Sequence, residues 1–397
     1  MKWIKVVFKN VFLTGTLLCS LMIITVLVSI QMWQSTEEGR LPAKTAVVLH
    51  AVNNNLVDLD VDISVPEIVS GGDGNESYLI KNEMTIPLED NEEIPVRIYR
   101  PRGEGPFPIT LYYHGGAFMK GYGGLETHDN IIRSIASKTG NVVIAPAYRL
   151  APEHIFPAAV EDSYKALLWA ENHAEMLGGD KDMISVMGDS AGGNIATVVS
   201  QMARDRKGPD LAAQVLFYPI TTFQEIPLSS RETYDSGYYL LSKSIMYQAR
   251  ESYTPQQTMW AHPYTSPLQA KNLHDLPPAL IITAEFDPLR DEGESYAKRL
   301  HEAGVPVHVT RYRGVMHGFV SFYEVMQSGR SGMEEAVVFL KDIQNGSVNQ
   351  SEEFIVHVEN QPQGWKRMRD QTEAFAIAVY LLGRTGTEMI AEEYSFN

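Results

Sequence analysis

Ser190 lies where a strand is predicted to turn sharply into a helix. It is the third residue of the segment 188–193, GDSAGG, which follows the apolar run 183–187 and precedes the helix-like run 194–199. Glycines on both sides of a serine let the strand and the helix approach closely, and the strained turn exposes the hydroxyl group. The segment therefore predicts a nucleophilic serine, although its five-residue pattern alone occurs by chance in roughly one chain in ten of this length.

A nucleophilic serine needs a base that takes its proton and an acid that orients the base. His317 follows the strand-like run 305–310, and Asp287 follows the apolar run 279–283. Each of these residues is predicted to lie on a loop at the carboxyl end of a strand, as Ser190 does. We therefore expect Ser190, Asp287 and His317 to act together as nucleophile, acid and base.

Two neighbouring residues compete with Asp287 for the role of the acid. Glu285 and Asp291 lie at short range in the same segment. Asp287 precedes a proline and is expected in the loop, whereas Asp291 is predicted to begin or cap the helix 292–303. The sequence favours Asp287 and leaves the two alternatives open.

A pair of glycines after another predicted strand is suited to hold a developing negative charge. The strand is followed by residues 114–117, HGGA. We expect the amides of Gly115 and Gly116 to act as oxyanion donors, together with the amide of Ala191, the residue after the nucleophile. His114 is predicted to hold this loop in place and not to transfer protons.

The chain resembles the hormone-sensitive-lipase-like branch of the α/β hydrolases, which includes bacterial carboxylesterases and the arylacetamide deacetylases. The motifs that carry the resemblance are 114–118 (HGGAF), 148–153 (YRLAPE), 188–194 (GDSAGGN), 287–291 (DPLRD) and 317–319 (HGF). The resemblance implies an α/β-hydrolase fold, in which a mostly parallel central sheet has helices on both faces and a helical cap. It implies no metal or organic cofactor. The site residues that it implies are Ser190 as nucleophile, Asp287 as acid, His317 as base, and Gly115, Gly116 and Ala191 as oxyanion donors.

The pattern along the chain predicts how the domains are divided. Strand-like and helix-like runs alternate within residues 81–343, the predicted catalytic domain, which favours a mostly parallel sheet with helices on both faces. Residues 221–275 interrupt the alternation, are rich in aromatic side chains, and are predicted to form the main cap insertion. Residues 34–80 are interpreted as a linker and part of the cap. Residues 344–397 are interpreted as a C-terminal extension with a helix over 372–382.

The N-terminal segment is long and apolar enough to cross a bilayer. Residues 11–33 carry no charge, and as a helix they span about 34 Å. Lys2, Lys5 and Lys9 precede them, so the positive-inside rule places residues 1–10 in the cytoplasm and the catalytic domain outside it. A cleaved signal peptide, with secretion of the remainder, is the alternative. Such a peptide has an apolar core of about 7–15 residues and a small-residue cleavage site, and the sequence therefore favours an uncleaved anchor.

Charge and composition limit the classes of function. The net charge of −16 gives no electrostatic reason to bind nucleic acid, and the single cysteine, Cys19, cannot form an internal disulfide. The sequence predicts a membrane-anchored serine carboxylesterase that hydrolyses small to medium acyl or aryl esters through an acyl-enzyme intermediate. The alternatives are an amide hydrolase or deacetylase with the same triad and, less favoured, a non-catalytic binding protein on the hydrolase fold.

Overall fold

The apolar runs of the central part of the chain form one nine-stranded sheet. The structure is a computed structural model, and it describes residues 2–57, 78–88, 92–347 and 351–395. The strands are β1 (Leu79–Pro87), β2 (Glu93–Pro101), β3 (Phe107–Tyr113), β4 (Val142–Pro146), β5 (Gly179–Asp189), β6 (Leu211–Phe217), β7 (Ala279–Phe286), β8 (Val307–Met316) and β9 (Val356–Glu359). Their order in the sheet is β1-β2-β4-β3-β5-β6-β7-β8-β9. Strand β2 is antiparallel to both of its neighbours, and all the other pairs of neighbouring strands are parallel.

Helices cover both faces of this sheet. The helices of the chain are α1 (Lys2–Trp33), α2 (Ala43–Asn53), α3 (Asp129–Thr139), α4 (Ala158–Asn172), α5 (Ala174–Leu177), α6 (Ala191–Arg206), α7 (Ser229–Thr233), α8 (Lys243–Tyr253), α9 (Arg290–Glu302), α10 (Gln327–Gln344) and α11 (Gly364–Ser395). Helices α3 and α10 pack together on one face, and α4, α6 and α9 cover the other. Parallel strands covered on both faces must be apolar throughout, and Leu111, Val186 and Ile281 are fully buried accordingly.

The predicted fold class, a mostly parallel sheet with helices on both faces, is confirmed. Two strands were not predicted from the sequence, the edge strands β1 and β9. Three residues in the middle of β1 and three of the four residues of β9 are exposed. An edge strand that buries few side chains lacks the apolar run by which the central strands are recognised.

The order of the strands reverses at the point where the predicted site residues lie. Strand β4 follows β3 in the chain and pairs on one side of it, whereas β5 pairs on the other side. Tyr113 at the end of β3 is in register with Gly188 near the end of β5. Ligands of open α/β sheets bind beyond the carboxyl ends of the strands at such a reversal. The loop after β3 and the turn after β5 therefore begin side by side.

The segment 221–275 connects β6 to β7 and contains α7, α8 and two short 3₁₀ helices, Gln257–Met259 and Pro267–Gln269. Several of its aromatic side chains are buried. Tyr239 stacks on Phe286 at the end of β7, with 5.1 Å between ring centroids. These rings fasten the insertion to the sheet domain, so that packing accounts for part of the aromatic content noted in the sequence.

The two ends of the chain form a separate helical unit. It comprises Met1–Asp58 together with Gln361–Asn397, whereas the sheet lies within Leu59–Asn360. Helices α1, α2 and α11 of this unit share a small apolar core. Its fully buried members are Val26, Ile30, Ala43, Val47, Ala51, Ala374, Ala378 and Leu381.

Polar contacts also join α2 to α11. The Asp370 carboxylate accepts the Lys44 amide N–H at 3.2 Å, and the buried Lys44 ammonium pairs with Glu373. Within the predicted linker 34–80, the structure thus forms α2 in the helical unit and the start of β1 in the sheet. Residues 58–77 lie outside the described residues.

Candidate active site

The turn that carries Ser190 has the strained geometry expected from its sequence. Ser190 follows β5 and precedes α6, with φ +53° and ψ −113°. A Cβ atom added at Gly188 would overlap the carbonyl oxygen of Gly192, and one added at Gly192 would overlap the carbonyl oxygen of Tyr113. Both positions therefore require glycine. The close approach of strand and helix leaves the Ser190 side chain on the wall of a cavity.

The structure brings Ser190, His317 and Asp287 into one hydrogen-bonded row. The Nε2 atom of His317 lies 3.0 Å from the Ser190 Oγ atom, and its Nδ1 atom lies 2.8 Å from Asp287 Oδ2. The Asp287 carboxylate is fully buried, and its Oδ1 atom accepts the Leu289 amide N–H at 2.8 Å. This arrangement fixes the ring of His317 with one nitrogen on the hydroxyl group and the other on a carboxylate.

The two acids that compete with Asp287 in the sequence bind elsewhere. Glu285 accepts the Gly314 amide N–H at 2.7 Å. Asp291 lies in the first turn of α9 and accepts the Ser230 amide N–H at 2.8 Å. Of these three carboxylates, the one that contacts His317 is Asp287.

The glycine loop after β3 differs from the prediction in one residue. The Gly115 N–H donates to Asp189 Oδ1 at 2.9 Å, so the predicted role of Gly115 as an oxyanion donor is wrong, because a carboxylate already accepts its proton. In the part of the chain that the structure describes, the amides of Gly116, Ala117 and Ala191 have no hydrogen-bond acceptor. Ala117 and Ser190 line the same cavity.

His114 lies beneath this loop, away from the reacting hydroxyl group. Its Nδ1 atom is 2.7 Å from the Gly115 carbonyl oxygen, and its ring stacks on Tyr148 at 4.3 Å between centroids. Burial, and then the charge of His128, lower the pKa of His114 to about 4. The Tyr148 hydroxyl donates to the His114 carbonyl oxygen at 2.6 Å. The YRLAPE motif therefore supports the loop, and so does the neutral ring of His114.

A second histidine–carboxylate pair was missed in the sequence. The Nε2 atom of His128 lies 3.2 Å from Asp189 Oδ2, and the Tyr112 hydroxyl donates to Asp189 Oδ1 at 2.7 Å. Burial alone lowers the pKa of His128, but the charge of Asp189 and the bonds to it and to Gly124 raise that pKa above its ordinary value. For Asp189 the effects are reversed. Burial raises the pKa of its carboxyl group, but the charge of His128 and the hydrogen bonds from His128 and Tyr112 lower that pKa by more, so that it lies below its ordinary value. In the sequence, Asp189 is an acid directly before Ser190, and His128 is a histidine in a polar run. Neither feature reveals that the two side chains form a pair.

The cavity beside Ser190 has a volume of about 290 Å³. Residues of the 221–275 insertion form most of its wall, and most of the side chains are apolar. The apolar side chains include Ile226, Leu241 and Met246. Among the side chains that the structure describes, no group of three or more histidine, cysteine, aspartate and glutamate residues is arranged to hold a metal ion.

The site has a serine on a strained turn after a central parallel strand, and this serine is hydrogen-bonded to a histidine that in turn contacts an aspartate. With the histidine and the aspartate at the ends of two later strands, this arrangement defines the α/β-hydrolase class. Residues 110–321 match the sequence model of a family described as alpha/beta hydrolase fold. The chain belongs to this family. The resemblance inferred from the sequence motifs is thereby confirmed.

Characterised relatives and solved structures agree with this assignment. The chain is 41% identical over 273 residues to the carboxylic ester hydrolase LipN of Mycobacterium tuberculosis, covering 68% of this chain and 72% of the relative. It is 41% identical over 241 residues to an arylesterase of Saccharolobus solfataricus, covering 60% and 76%. A hyperthermophilic esterase from the archaeon Pyrobaculum calidifontis superimposes with a TM-score of 0.66 at 40% identity, covering 75% of this chain and 96% of that one.

Proposed function

We propose that this α/β hydrolase is a serine carboxylesterase that hydrolyses small to medium acyl or aryl esters. The observation that carries the proposal is the row of hydrogen bonds from Ser190 through His317 to the buried Asp287. The two relatives described above are named a carboxylic ester hydrolase and an arylesterase. These names support esters as the substrate class.

In the first half of the reaction, the Ser190 Oγ atom attacks the carbonyl carbon of the ester while His317 Nε2 takes the hydroxyl proton. Asp287 holds the Nδ1–H of the ring and stabilises the imidazolium that forms. The carbonyl oxygen becomes an oxyanion. We assign its donors to the amides of Gly116, Ala117 and Ala191, because these amides have no other acceptor in the described part of the chain.

The tetrahedral intermediate then collapses. The bond from carbon to the alcohol oxygen breaks, His317 returns the proton to the alcohol, and an acyl group remains on Ser190. Water enters, His317 takes a proton from it, and the resulting hydroxide attacks the acyl carbon. The acid leaves as the proton returns to Ser190, and the enzyme is restored with no other reactant consumed.

The cavity supports the proposed substrate size. Its volume of about 290 Å³ lies near the lower end of the range of ligand pockets, roughly 300–1,000 Å³. Ile226, Leu241 and Met246 give it an apolar wall. Such a wall gains free energy by removing an acyl chain from water.

The decisive test is hydrolysis of p-nitrophenyl esters of graded acyl length by wild type, Ser190→Ala and the control Ser200→Ala. Ser200 is a buried serine of α6, the helix that follows Ser190, and its hydroxyl donates to the Ala196 carbonyl oxygen. We expect Ser190→Ala to be inactive and Ser200→Ala to stay within a few-fold of wild type. Turnover retained by Ser190→Ala refutes the proposal.

Two further arms separate the alternatives. A fluorophosphonate probe should label wild type and fail on Ser190→Ala; an unlabelled wild type would favour a non-catalytic binding protein. Comparing an aryl ester with the matching anilide distinguishes an esterase from an amide hydrolase. Preferential cleavage of the anilide would replace the substrate class and leave the roles of Ser190 and His317 unchanged.

We also propose that α1 anchors the chain in a membrane, with its N-terminus in the cytoplasm, and is not cleaved. Within α1, the span Lys9–Trp33 contains an 18-residue window of mean hydropathy 2.5, and only 6% of that window is buried in the structure. Near its C-terminal end, Val26 and Ile30 pack in the core shared with α2 and α11. Cleavage after Trp33 would remove one of the three helices of this unit, which favours retention.

The test is to express the full chain with a different tag at each end and to separate membranes from soluble protein. Retention predicts one membrane-bound species of full mass that carries both tags. A control with an Ala-Gln-Ala signal-peptidase site in place of residues 34–36 should lose the N-terminal tag. A wild-type chain released without its N-terminal tag would contradict the anchor.

A further inference from the structure

The loop assigned to hold the oxyanion has positive φ values at three successive residues, and the two that carry side chains are strained. Gly116, Ala117 and Phe118 have φ values of +120°, +54° and +60°. Residues with side chains rarely adopt such values, and they keep them only where the surroundings fix the backbone. Contacts with the surrounding structure must therefore fix the backbone at both ends of this loop.

Backbone bonds hold the far end of the loop. The Ala151 N–H donates to the Phe118 carbonyl oxygen at 2.8 Å, and the Met119 N–H donates to the Gly116 carbonyl oxygen at 2.9 Å. At the near end, the amide of Gly115 is held by a side chain, the carboxylate of Asp189. Because Asp189 immediately precedes Ser190, one carboxylate connects the loop to the turn that carries the nucleophile.

His128 faces acceptors with both of its ring nitrogens. Its Nε2 atom lies 3.2 Å from the Asp189 carboxylate, and its Nδ1 atom lies 2.9 Å from both the Gly124 carbonyl oxygen and the Thr127 hydroxyl group. The Thr127 hydroxyl group donates its own proton to the same carbonyl oxygen at 3.0 Å, and an ionised carboxylate has no proton to offer, so both ring nitrogens satisfy these partners when both carry a proton. The ring is then an imidazolium, whose positive charge balances the negative charge of Asp189.

We propose that Asp189 and His128 form a charge-balanced positioning pair: Asp189 fixes the oxyanion loop to the Ser190 turn, and His128 cancels the charge of Asp189. The proposal rests on the esterase mechanism above. An unbalanced carboxylate beneath the loop would oppose the negative charge that develops on the substrate oxygen, and in a buried site such repulsion is weakly screened. Neither side chain has a hydrogen bond to the Ser190 hydroxyl group, which contacts His317, so both act through the loop.

The test uses four variants, assayed for kcat and KM on a p-nitrophenyl ester and for affinity toward a boronic acid that mimics the tetrahedral intermediate. Asp189→Ala frees the Gly115 amide, and we expect kcat to fall by ~10²–10³, as when one oxyanion donor is removed. Boronic acid affinity should fall by a similar factor while KM changes little, because the loop binds the transition state and not the ground state.

The other three variants separate charge from position. Asn at 189 can still accept from Gly115 and can donate to a neutral His128, so Asp189→Asn should stay within roughly tenfold of wild type. His128→Gln leaves Asp189 unbalanced and should lose ~10–100-fold in kcat. The double variant Asp189→Asn/His128→Gln is neutral at both positions and should recover to the level of Asp189→Asn.

Glu335→Gln is the matched control. Glu335 lies away from the loop and also accepts from a tyrosine, Tyr312, at 2.7 Å and pairs with a histidine, His308, at 3.2 Å. If Glu335→Gln lowers the stability of the protein, its affinity for the boronic acid should still equal that of wild type.

Two results would overturn the proposal. One is Asp189→Ala keeping wild-type kcat, or losing kcat with unchanged boronic acid affinity. The other is a double variant no more active than His128→Gln. If Asp189→Ala does not fold, the comparison of His128→Gln with the double variant still decides the question. End-point labelling of wild-type Ser190 by a fluorophosphonate tests the esterase mechanism separately.

Discussion

Two histidine–carboxylate pairs lie on opposite sides of the Ser190 turn, and they differ in what the histidine touches with its second nitrogen. His317 contacts Asp287 with one nitrogen and the Ser190 hydroxyl with the other. His128 contacts Asp189 with one nitrogen, and its second lies 2.9 Å from both the Gly124 carbonyl oxygen and the Thr127 hydroxyl group. The Ser190 hydroxyl group faces His317 and can release its proton to it, whereas the Thr127 hydroxyl group donates its proton to the Gly124 carbonyl oxygen.

The comparison shows that a buried carboxylate does not by itself make a histidine a catalytic base. The group at the second nitrogen of the histidine decides whether the histidine can act as a base. A histidine that accepts from a hydroxyl group can take up its proton during a reaction, whereas one whose neighbours all act as acceptors already holds both of its protons. We infer that His317 exchanges protons and that His128 does not, and each prediction below tests that difference.

The largest expected effect is that of His317→Ala. Removal of the base should lower kcat by ~10⁵–10⁶, because serine, histidine and aspartate act as a unit. For His128→Gln, the factor by which kcat falls should be at least one hundred times smaller than for His317→Ala. The measurement is kcat on a p-nitrophenyl ester with thermal unfolding as the check on folding. A His317→Ala variant that keeps more than a hundredth of wild-type activity would place the base elsewhere.

The next effect comes from making one substitution in both pairs. In Asp287→Asn, the amide can donate to His317 Nδ1, which leaves the proton on Nε2, where it faces Ser190 and cannot accept. We expect kcat to fall by ~10⁴. Asp189→Asn should stay within roughly tenfold of wild type, because His128 transfers no proton. Equal losses in the two variants would show that the pairs do not differ in kind.

A smaller effect is expected for Gly115→Ala, which tests the contact between the loop and the second pair. A Cβ atom at Gly115 would overlap the Asp189 carboxylate. Forcing the two apart should cost about 1–3 kcal/mol of stability and lower kcat roughly 10–100-fold by displacing the oxyanion donors. Gly124→Ala is the control, because a Cβ atom there has nothing within 4 Å. Urea unfolding and kcat should both separate the two variants, and identical behaviour would contradict the close contact.

The sequence was sufficient to predict which three side chains the structure brings into one hydrogen-bonded row. Ser190, Asp287 and His317 each follow an apolar run that forms a central strand, and strands are recognised by such runs. The misassignment of Gly115 has a different origin, because the direction of an amide depends on φ and ψ, which glycine leaves open. His128 and Asp189 are separated by 61 residues, and no local pattern connects them.

The helical unit shows the same limit on a larger scale. Two of its three helices were foreseeable, since α1 is a long apolar run and part of α11 has an amphipathic pattern over 372–382. Their association was not. Ala374 and Ala378 meet Val26 and Ile30 from the opposite end of the chain, and small apolar side chains are compatible with many partners.

The smallest expected effect concerns stability, and it follows from the charge of the second pair. Tyr112, His114 and Asp189 are the titratable groups around His128. Because the pKa of His128 is raised above 6.5 in the folded chain, the stability that it contributes is fully present below pH 6.5. That contribution is lost as the pH rises through the raised value. The lowered pKa of Asp189 keeps the partner charged down to below its ordinary value of about 3.8.

The difference in unfolding free energy between wild type and His128→Gln should therefore be largest near pH 5–6 and shrink toward alkaline pH. A charged hydrogen bond of this kind contributes about 1.5–3 kcal/mol. Urea unfolding at several pH values measures the difference, and groups common to both proteins cancel. His308→Gln breaks the half-exposed pair with Glu335 and should change stability much less, because exposed pairs are screened. A difference for His128→Gln that grows with pH would mean that the ring is neutral in the folded chain, and the charge-balanced pair would then be refuted.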